Sequence, residues 1–125
     1  MSWRPPFAPA KETMMAKFGR VTFTGESGRD YAFAAYPRET RFKPIAAVYV
    51  ITKREVNPEG RASHTRLYVG QTDNLQGHPF NHGREHCFDR KHANCVCVFP
   101  ENDLDRRLAI EIDLRQGYDP PCNRQ

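Results

Sequence analysis

The sequence has no long apolar run. None of its 125 residues lies in a stretch approaching the ~20 apolar residues that a transmembrane helix needs, and the N-terminus lacks the apolar core of a secretory signal peptide. These two absences predict a cytoplasmic protein with no membrane partner. The chain also lacks internal repeats and low-complexity tracts, and its length suits a single domain with one core.

Cysteine is sparse and unevenly spaced. Two of the four cysteines, Cys95 and Cys97, are only one residue apart, and the set does not have the pattern of a disulfide framework. We therefore expect all four cysteines to be reduced.

Charge of one sign does not dominate the sequence. The 19 Lys and Arg residues against 15 Asp and Glu residues give a net charge of +4, a mild excess that would attract a polyanion. The same excess is typical of many proteins with an ordinary basic surface. Charge alone thus gives weak support to a nucleic-acid partner, and the sequence does not set the oligomeric state.

Strand patterns occur along most of the chain. Residues 1–17 contain three prolines and predict an irregular arm, whereas residues 19–36 predict a hairpin around a glycine-containing turn. Apolar runs rich in β-branched residues predict core strands at 46–52, 66–70 and 94–99, with the first two antiparallel. A loop signal of Asn, Pro and Gly separates those two strands.

Two further segments have helical patterns. We expect 73–92 to be mostly helical with Asp73 as its N-cap, and to kink or break near His78 because two glycines and a proline interrupt it. The pattern from 103 to 116 predicts a second helix that stops at Gly117. The fold prediction is an α+β domain in which helices flank a small, largely antiparallel three-stranded core sheet.

Two tyrosines are the first candidate functional residues. Tyr49 and Tyr68 lie on predicted neighbouring strands, where an isolated tyrosine is ordinarily a core or edge aromatic. On neighbouring strands they can bring two phenols to one face of a small sheet. With a carboxylate from a later helix, that face would suit cleavage of a phosphodiester.

Glu111 is the carboxylate with the strongest signal. It shares one helical stripe with Leu104 and Leu108, which predicts that it is buried. A buried carboxylate needs a cation, a metal or a strong set of donors. An ion pair with Arg107 or Arg115 meets that need, and so does a hard, oxygen-ligated ion such as Mg²⁺.

A different group of side chains has the chemistry of a zinc site. His82 and His86 are four residues apart on a possible helix, and Cys95 and Cys97 point to one face of a strand. Cys-x-Cys on a core strand is more typically a pair of small buried residues, and the usual zinc-ligand spacing is absent. A zinc-stabilised small domain is therefore a further alternative.

Two tripeptides carry a family resemblance. Ala47-Val48-Tyr49 and Tyr68-Val69-Gly70 resemble the two triplets of the GIY-YIG nuclease domains, with mild replacements of Gly by Ala and of Ile by Val. The resemblance continues through Gln71-Thr72-Asp73-Asn74-Leu75, Glu111 and Pro120-Pro121-Cys122-Asn123. It covers roughly the last two-thirds of the chain.

The resemblance implies a domain organisation and an activity. Residues 45–125 would form a GIY-YIG-like nuclease domain, with 1–44 as an arm and hairpin extension packed on it. The implied activity is hydrolysis of phosphodiester bonds in DNA, with RNA as an alternative partner and with Mg²⁺ or Mn²⁺ held by Glu111. In the implied mechanism Tyr68 deprotonates or orients the attacking water while Tyr49 holds the phosphate.

The candidate site residues follow from the same resemblance. The catalytic set is Tyr49, Tyr68, His78, Glu111 and Asn123, and the substrate-binding set is Gly70, Gln71, Arg84 and Arg66. Asn123 is expected to return to the site on a rigid Pro-Pro segment and to hold a loop or a phosphate oxygen.

One residue of the family pattern is replaced. The family places an Arg ten residues beyond the Tyr of its second triplet, and His78 stands there in this sequence. A guanidinium grips phosphate with two hydrogen bonds, whereas neutral imidazole offers one donor. Three alternatives follow: His78 is a weaker electrophile or a general acid, Arg84 or Arg66 supplies the charge, or the domain has lost catalysis and remains a nucleic-acid-binding or protein-interaction module.

Overall fold

A five-stranded antiparallel sheet forms the centre of the domain. The computed structural model describes residues 18–77 and 83–124. Its elements in chain order are strands β1 (Gly19–Thr24), β2 (Asp30–Pro37), β3 (Ala47–Val56) and β4 (Ala62–Thr72), helix α1 (Glu85–Arg90), strand β5 (Cys95–Pro100), helix α2 (Leu104–Gly117) and a 3₁₀ turn at Pro121–Arg124. The strand order is β1-β2-β5-β3-β4. The predicted α+β class is confirmed, and the sheet has five strands rather than three.

Strand β3 positions the candidate site, because it pairs with β4 on one side and with β5 on the other. Its side chains alternate between two apolar clusters. Tyr49 and Ile51 point to the side on which α1 packs, which we call the α1 face. Val48 and Val50 point to the side on which α2 packs through Leu114, which we call the α2 face. The strand is buried on both faces, as its continuous apolar run predicted.

The predicted N-terminal hairpin forms and continues the same sheet. Strand β2 pairs with β5, with Ala34 opposite Val98, and this pairing adds the two extra strands. Asp113 of α2 accepts hydrogen bonds from Ser27 N at 2.8 Å, Ser27 Oγ at 2.6 Å and Tyr31 Oη at 2.8 Å. These bonds fix the hairpin turn against α2.

A β-bulge in β4 sets which residues share a face. Ile51 lies opposite Tyr68 and Thr52 lies opposite Arg66, so Leu67 is the extra residue. Simple alternation would place Arg66 and Tyr68 on one face. The bulge changes which residues point to each face, so Tyr68 lies on the α1 face and Arg66 on the α2 face.

The helix predicted over 73–92 is much shorter than expected. Helix α1 covers only Glu85–Arg90, and Asp73 lies in a bend rather than at an N-cap. Gly77 and Gly83 have φ values of 80° and 83°, a left-handed conformation that a right-handed helix does not contain. The prediction was wrong here because these two positions break the helix completely. The expected break point, His78, lies outside the described residues.

Helix α2 forms nearly where it was predicted, but it buries a different stripe. Asp103 is its N-cap and accepts a hydrogen bond from Arg106 N at 3.1 Å. The predicted apolar stripe is on the outside: Leu104 is 51% exposed and Leu108 is 37% exposed. The buried residues are Arg107, Ile110 and Leu114. Among the described residues, no helix is long and apolar enough to cross a membrane.

Cys87 and Cys122 form a disulfide, so the expectation of four reduced cysteines was wrong. Helix α1 and the C-terminal 3₁₀ turn meet on the α1 face and bring the two Cα atoms to 5.8 Å. Sequence spacing did not reveal this contact because the two cysteines are 35 positions apart, with β5 and α2 between them. Cys95 and Cys97 are free and buried.

We expect loss of this disulfide to destabilise the fold. Opening a covalent loop of 35 residues releases chain entropy in the unfolded state and lowers the free energy of unfolding by about 2–4 kcal/mol. Urea denaturation of Cys122→Ser, and of the wild-type protein in reductant, measures the effect. The double variant Cys87→Ser, Cys122→Ser should not respond to reductant. An unchanged midpoint in reduced wild-type protein would contradict the prediction.

Candidate functional site

Tyr49 and Tyr68 meet above Gly70 on the α1 face. Tyr49 lies opposite Gly70 in the β3–β4 ladder, and the two tyrosine ring centroids are 6.0 Å apart. A Cβ atom on Gly70 would lie 2.7 Å from Cζ and Oη of Tyr49 and 2.8 Å from Cε2 of Tyr68. A glycine is therefore required beneath the two phenols because no side chain fits there.

We expect Gly70→Ala to displace both phenols. Overpacking of this kind costs about 1–3 kcal/mol of stability, and the displacement should also lower any activity that depends on the tyrosines. Thermal denaturation and the cleavage assay described below measure the two effects. Ser63→Ala, at an exposed position of the same strand, is the matched control. Wild-type activity in a folded Gly70→Ala variant would show that the close packing of the phenols does not matter.

The phenol of Tyr49 is held in its neutral form. Burial raises the pKa of Tyr49 well above its ordinary value, and the phenol of Tyr68 and the charge of Glu111 raise it further. Arg84 acts in the opposite direction. Tyr49 is only 3% exposed, and its ring packs against that of Tyr68. Tyr49 is thus a neutral phenol that is largely screened from solvent.

Glu111 is the candidate carboxylate, and it lies on α2. It is half-buried, and burial raises the pKa of its carboxyl group while Arg115 lowers it. The charge of Glu111 also acts on Tyr49. Within residues 18–77 and 83–124, Glu111 makes no ion pair with Arg107, Arg115 or any other cation. The carboxylate is thus not ion-paired among the described residues, although the charge of Arg115 acts on it.

Arg84 supplies positive charge on the same side of the sheet. Its guanidinium carbon is 5.4 Å from the centroid of the Tyr68 ring, and its charge lowers the pKa of Tyr49. Its Nη1 donates a hydrogen bond of 2.8 Å to the carbonyl of Cys122. This bond and the neighbouring disulfide at Cys87 hold the start of α1 against the C-terminal turn. Arg84 is thus positioned beside both phenols.

Asn123 fastens the C-terminal turn to the edge of the sheet. Its Oδ1 accepts a hydrogen bond of 2.8 Å from Val69 N, and its Nδ2 donates one of 2.9 Å to Val69 O. The amide thereby forms hydrogen bonds with the backbone N–H and C=O groups of Val69, which an additional strand would otherwise pair with at this edge of the sheet. Asn123 was expected to hold a loop or a phosphate oxygen, and in the structure its amide bonds the backbone of strand β4.

Gln71 is bound to a buried arginine that the sequence did not identify. Arg107 is 4% exposed, and its Nε donates a hydrogen bond of 2.9 Å to Gln71 Oε1. Its Nη1 donates to the carbonyls of Glu101 and Asn102 at 3.1 and 2.9 Å. Arg107 thus links β4 to the turn before α2 and is unavailable to Glu111. Arg107 is three residues before Ile110 and seven before Leu114, so it lies on the buried face of α2. The sequence could have shown this only if the buried face of the helix had been predicted correctly.

Among the described candidate residues, Arg66 does not join the group, and neither does Gln71, which lies opposite Val48. Arg66 lies on the α2 face, with its guanidinium carbon 5.2 Å from the ring centroid of Phe23 and 4.9 Å from that of Tyr118. The bulge at Leu67 is the reason, because it turns Arg66 away from Tyr68. His78 lies outside the described residues. Of the two arginines considered as replacements for the family Arg, the structure brings Arg84 to the tyrosines.

The four residues considered as zinc ligands are not brought together as the sequence suggested. His82 lies outside the described residues, and His86 is exposed on α1, across the sheet from the two free thiols. A partner that the sequence did not indicate, His64, joins Cys95 and Cys97 on the α2 face. Hydrogen bonds from Cys97, His64 and Thr52 lower the pKa of the Cys95 thiol to about 5, against the opposing effect of burial.

No family model, curated protein or solved structure matches the chain. The resemblance to the GIY-YIG family thus rests on the two tripeptides and the residues that follow them. The functional conclusion depends on the geometry around Tyr49, Tyr68, Arg84 and Glu111.

Proposed function

We propose that the protein is a metal-dependent phosphodiesterase that hydrolyses DNA as an endonuclease. The observation that carries this proposal is the packing of two phenols beside a guanidinium, with the charge of a half-buried carboxylate, Glu111, acting on Tyr49. Such a group combines an oxygen ligand for a hard cation with hydrogen-bond donors for phosphate oxygens. The resemblance to GIY-YIG nucleases provides independent support from the sequence.

The chemistry of Glu111 fits a magnesium ion. Mg²⁺ keeps several waters and is commonly bound through one or two carboxylates together with substrate phosphate oxygens. One half-buried carboxylate whose pKa is raised by burial, and which forms no ion pair among the described residues, is a donor of that kind. When bound, the ion would polarise the phosphoryl group and lower the pKa of a coordinated water. Mn²⁺ shares this preference for oxygen ligands.

The two tyrosines have unequal roles in the proposed reaction. Tyr68 is the more exposed phenol, and we assign it to orienting the attacking water. The buried phenol of Tyr49 stays protonated, because its pKa is raised well above the ordinary value by burial. Because the two rings pack together above Gly70, Tyr49 limits the orientations of Tyr68. The expectation that Tyr49 holds the phosphate is thus replaced by a positioning role.

Arg84 is assigned to the phosphate. A guanidinium can donate two parallel hydrogen bonds to phosphate oxygens and stabilise the charge that develops during transfer. The location of Arg84 over Tyr68 supports this role, since the group that orients water and the group that binds phosphate must be neighbours. Asn123 keeps the edge of β4 in place for both.

Cleavage of supercoiled plasmid tests the proposed function directly. The purified protein is incubated with supercoiled, linear and branched DNA in Mg²⁺, in Mn²⁺ and in chelator, and products are separated by electrophoresis. We expect nicked or linear products that require the metal. Absence of cleavage in every condition would contradict the enzymatic proposal.

Binding measurements separate the nuclease from a binding module on the same fold. Lys and Arg contacts to phosphates displace condensed counterions, so affinity for duplex DNA should fall steeply between low and physiological salt. Salt-dependent binding without cleavage would support the catalytically impaired alternative. No detectable binding at low salt would exclude DNA as the partner and would favour a protein-interaction module.

A further inference from the structure

Three side chains with metal-ligand chemistry meet on the α2 face, across the sheet from the tyrosines. His64 of β4 and Cys95 and Cys97 of β5 each offer one ligand atom, and these atoms all lie within 4.8 Å of one another. Strand β3 lies between the two strands. The bulge at Leu67 is what places His64 on this face, opposite Arg54 and beside the thiols.

The distance between the two sulfurs suits a tetrahedral metal. The Sγ atoms of Cys95 and Cys97 are 3.9 Å apart. Two metal–sulfur bonds of about 2.3 Å at a tetrahedral angle separate their sulfurs by about 3.8 Å. A zinc ion can thus bind both thiolates with little movement of β5. The two thiols are i and i+2 on a strand, so their side chains point the same way.

The surroundings of His64 also suit a ligand. Its Nδ1 is 2.9 Å from the hydroxyl oxygen of Thr52, which is itself fully buried. Metal-binding histidines commonly form a hydrogen bond through the ring nitrogen that does not bind the metal, and the hydroxyl of Thr52 offers a partner for Nδ1. The ring of Phe23 lies edge-on to the imidazole, with centroids 6.4 Å apart, and limits its rotation. His64 is partly buried, whereas both thiols are fully buried, so His64 is the ligand on the solvent side of the group.

We propose that His64, Cys95 and Cys97 bind one thiophilic metal ion, zinc by preference, with the fourth position left to solvent. Two thiolates and an imidazole form a ligand set that selects zinc over magnesium, because thiolate is a soft donor. The bound ion would link β4 and β5 across β3. This site is independent of the proposed nuclease site, which lies on the α1 face and relies on an oxygen donor.

Zinc and cobalt titrations test the proposal. The full chain is purified without reductant, so that Cys87 and Cys122 stay bonded, and is handled anaerobically to protect the other two thiols. After chelator treatment, Co²⁺ should produce the visible bands of a tetrahedral ion with thiolate-to-metal charge transfer. Zinc should displace cobalt at one ion per chain and raise Tm by several degrees.

Substitutions of the ligands locate the ion. We expect Cys95→Ser to weaken zinc binding about a hundredfold and to remove the charge-transfer band in part. His64→Gln should weaken zinc binding while leaving both thiols titratable, and its partial exposure makes it the safer variant if Cys95→Ser folds poorly. His86→Gln, at an exposed histidine on α1, is the matched control and should bind zinc as the wild type does.

Two results would overturn the proposal. One is a failure of chelator-treated protein with two titratable thiols to bind zinc or cobalt. The other is binding that survives in His64→Gln at wild-type affinity but is lost in His86→Gln, which would assign the metal to α1. Neither result depends on cleavage of DNA, so the zinc site and the proposed nuclease function are tested separately.

Discussion

Glu111→Gln is expected to lower the rate of Mg²⁺-dependent DNA cleavage about a thousandfold, since metal-ion stabilisation of the transition state is worth several kcal/mol. Glutamine keeps the size of the side chain and can still accept a hydrogen bond, but it carries no charge to hold the ion. Single-turnover cleavage of a labelled duplex measures the loss. Binding of DNA in chelator should be nearly unchanged, because Glu111 contributes no positive charge to phosphate contacts.

Asp105→Asn provides the matched control for this substitution. It removes the same charge from an exposed position in the first turn of the same helix, and we expect it to cleave DNA as the wild type does. Equal losses in both variants would indicate an effect of net charge. Full activity in Glu111→Gln would remove this carboxylate from the proposed mechanism.

In the absence of metal, Glu111→Gln should stabilise the folded protein. Burial raises the pKa of Glu111, so the folded chain holds its carboxylate less favourably than the unfolded chain does. The stability that this group contributes is full below its unfolded pKa and is lost as pH rises through its folded pKa. Glutamine has no such loss, so Tm of Glu111→Gln should exceed that of the wild type at pH 7 in chelator. The difference should shrink toward acidic pH.

The sequence predicted most strands but could not predict how they share faces. Alternation within β4 places Arg66 beside Tyr68, and the hydrophobic pattern gives no sign of the extra residue at Leu67. The bulge is a property of the pairing between β3 and β4, in which two residues of one strand face one of the other. It moves Arg66 away from the tyrosines and brings His64 to the free thiols. A single local irregularity thus determines the composition of both proposed sites.

Helix α2 shows a related limit of sequence patterns. Its boundaries followed from capping residues, and these were predicted to within about a residue. Its buried stripe was wrong, because Leu104 is exposed while the charged Arg107 is buried. The guanidinium is tolerated inside because Gln71 and two backbone carbonyls accept its hydrogen bonds. Those acceptors come from β4 and the preceding turn, which periodicity within one helix does not reveal.

The approach of Cys87 to Cys122 is likewise a tertiary property. The short helix α1 begins two residues after Gly83, and the C-terminal 3₁₀ turn returns to meet it. No pattern in the sequence of α1 or of the C-terminal turn predicts that these two segments are in contact. The same contact brings Arg84 to the site, which explains why the sequence left the source of positive charge open.

Arg84→Ala is expected to lower cleavage about a thousandfold, as loss of an arginine that stabilises a transferring phosphoryl group does. The physical reason is its position, with the guanidinium carbon 5.4 Å from the centre of the Tyr68 ring. The loss should fall mainly on kcat, because charge on the phosphate grows in the transition state. Arg84→Lys should recover little activity, since an ammonium lacks the two-point geometry of guanidinium.

Controls must separate this role from the structural bond of Arg84 to Cys122 O. Arg90→Ala removes the same charge from an exposed position at the other end of α1 and should remain active. Added guanidinium ion should restore part of the activity of Arg84→Ala if the missing group acts on phosphate. A variant that only loosens the C-terminal turn would lose Tm and would not respond to guanidinium.

His78 is the competing source of the catalytic group, and its substitution decides between the two residues. If Arg84 binds the phosphate, His78→Gln retains most of the cleavage rate and His78→Arg adds little, because a second guanidinium would find the phosphate oxygens already bound. If His78 limits the reaction instead, His78→Arg raises the rate above that of the wild type and Glu111→Ala abolishes the gain. Pro79 follows His78 directly, so the His78→Arg variant is also measured with alanine at position 79. Wild-type cleavage by Arg84→Ala would exclude Arg84 from the mechanism.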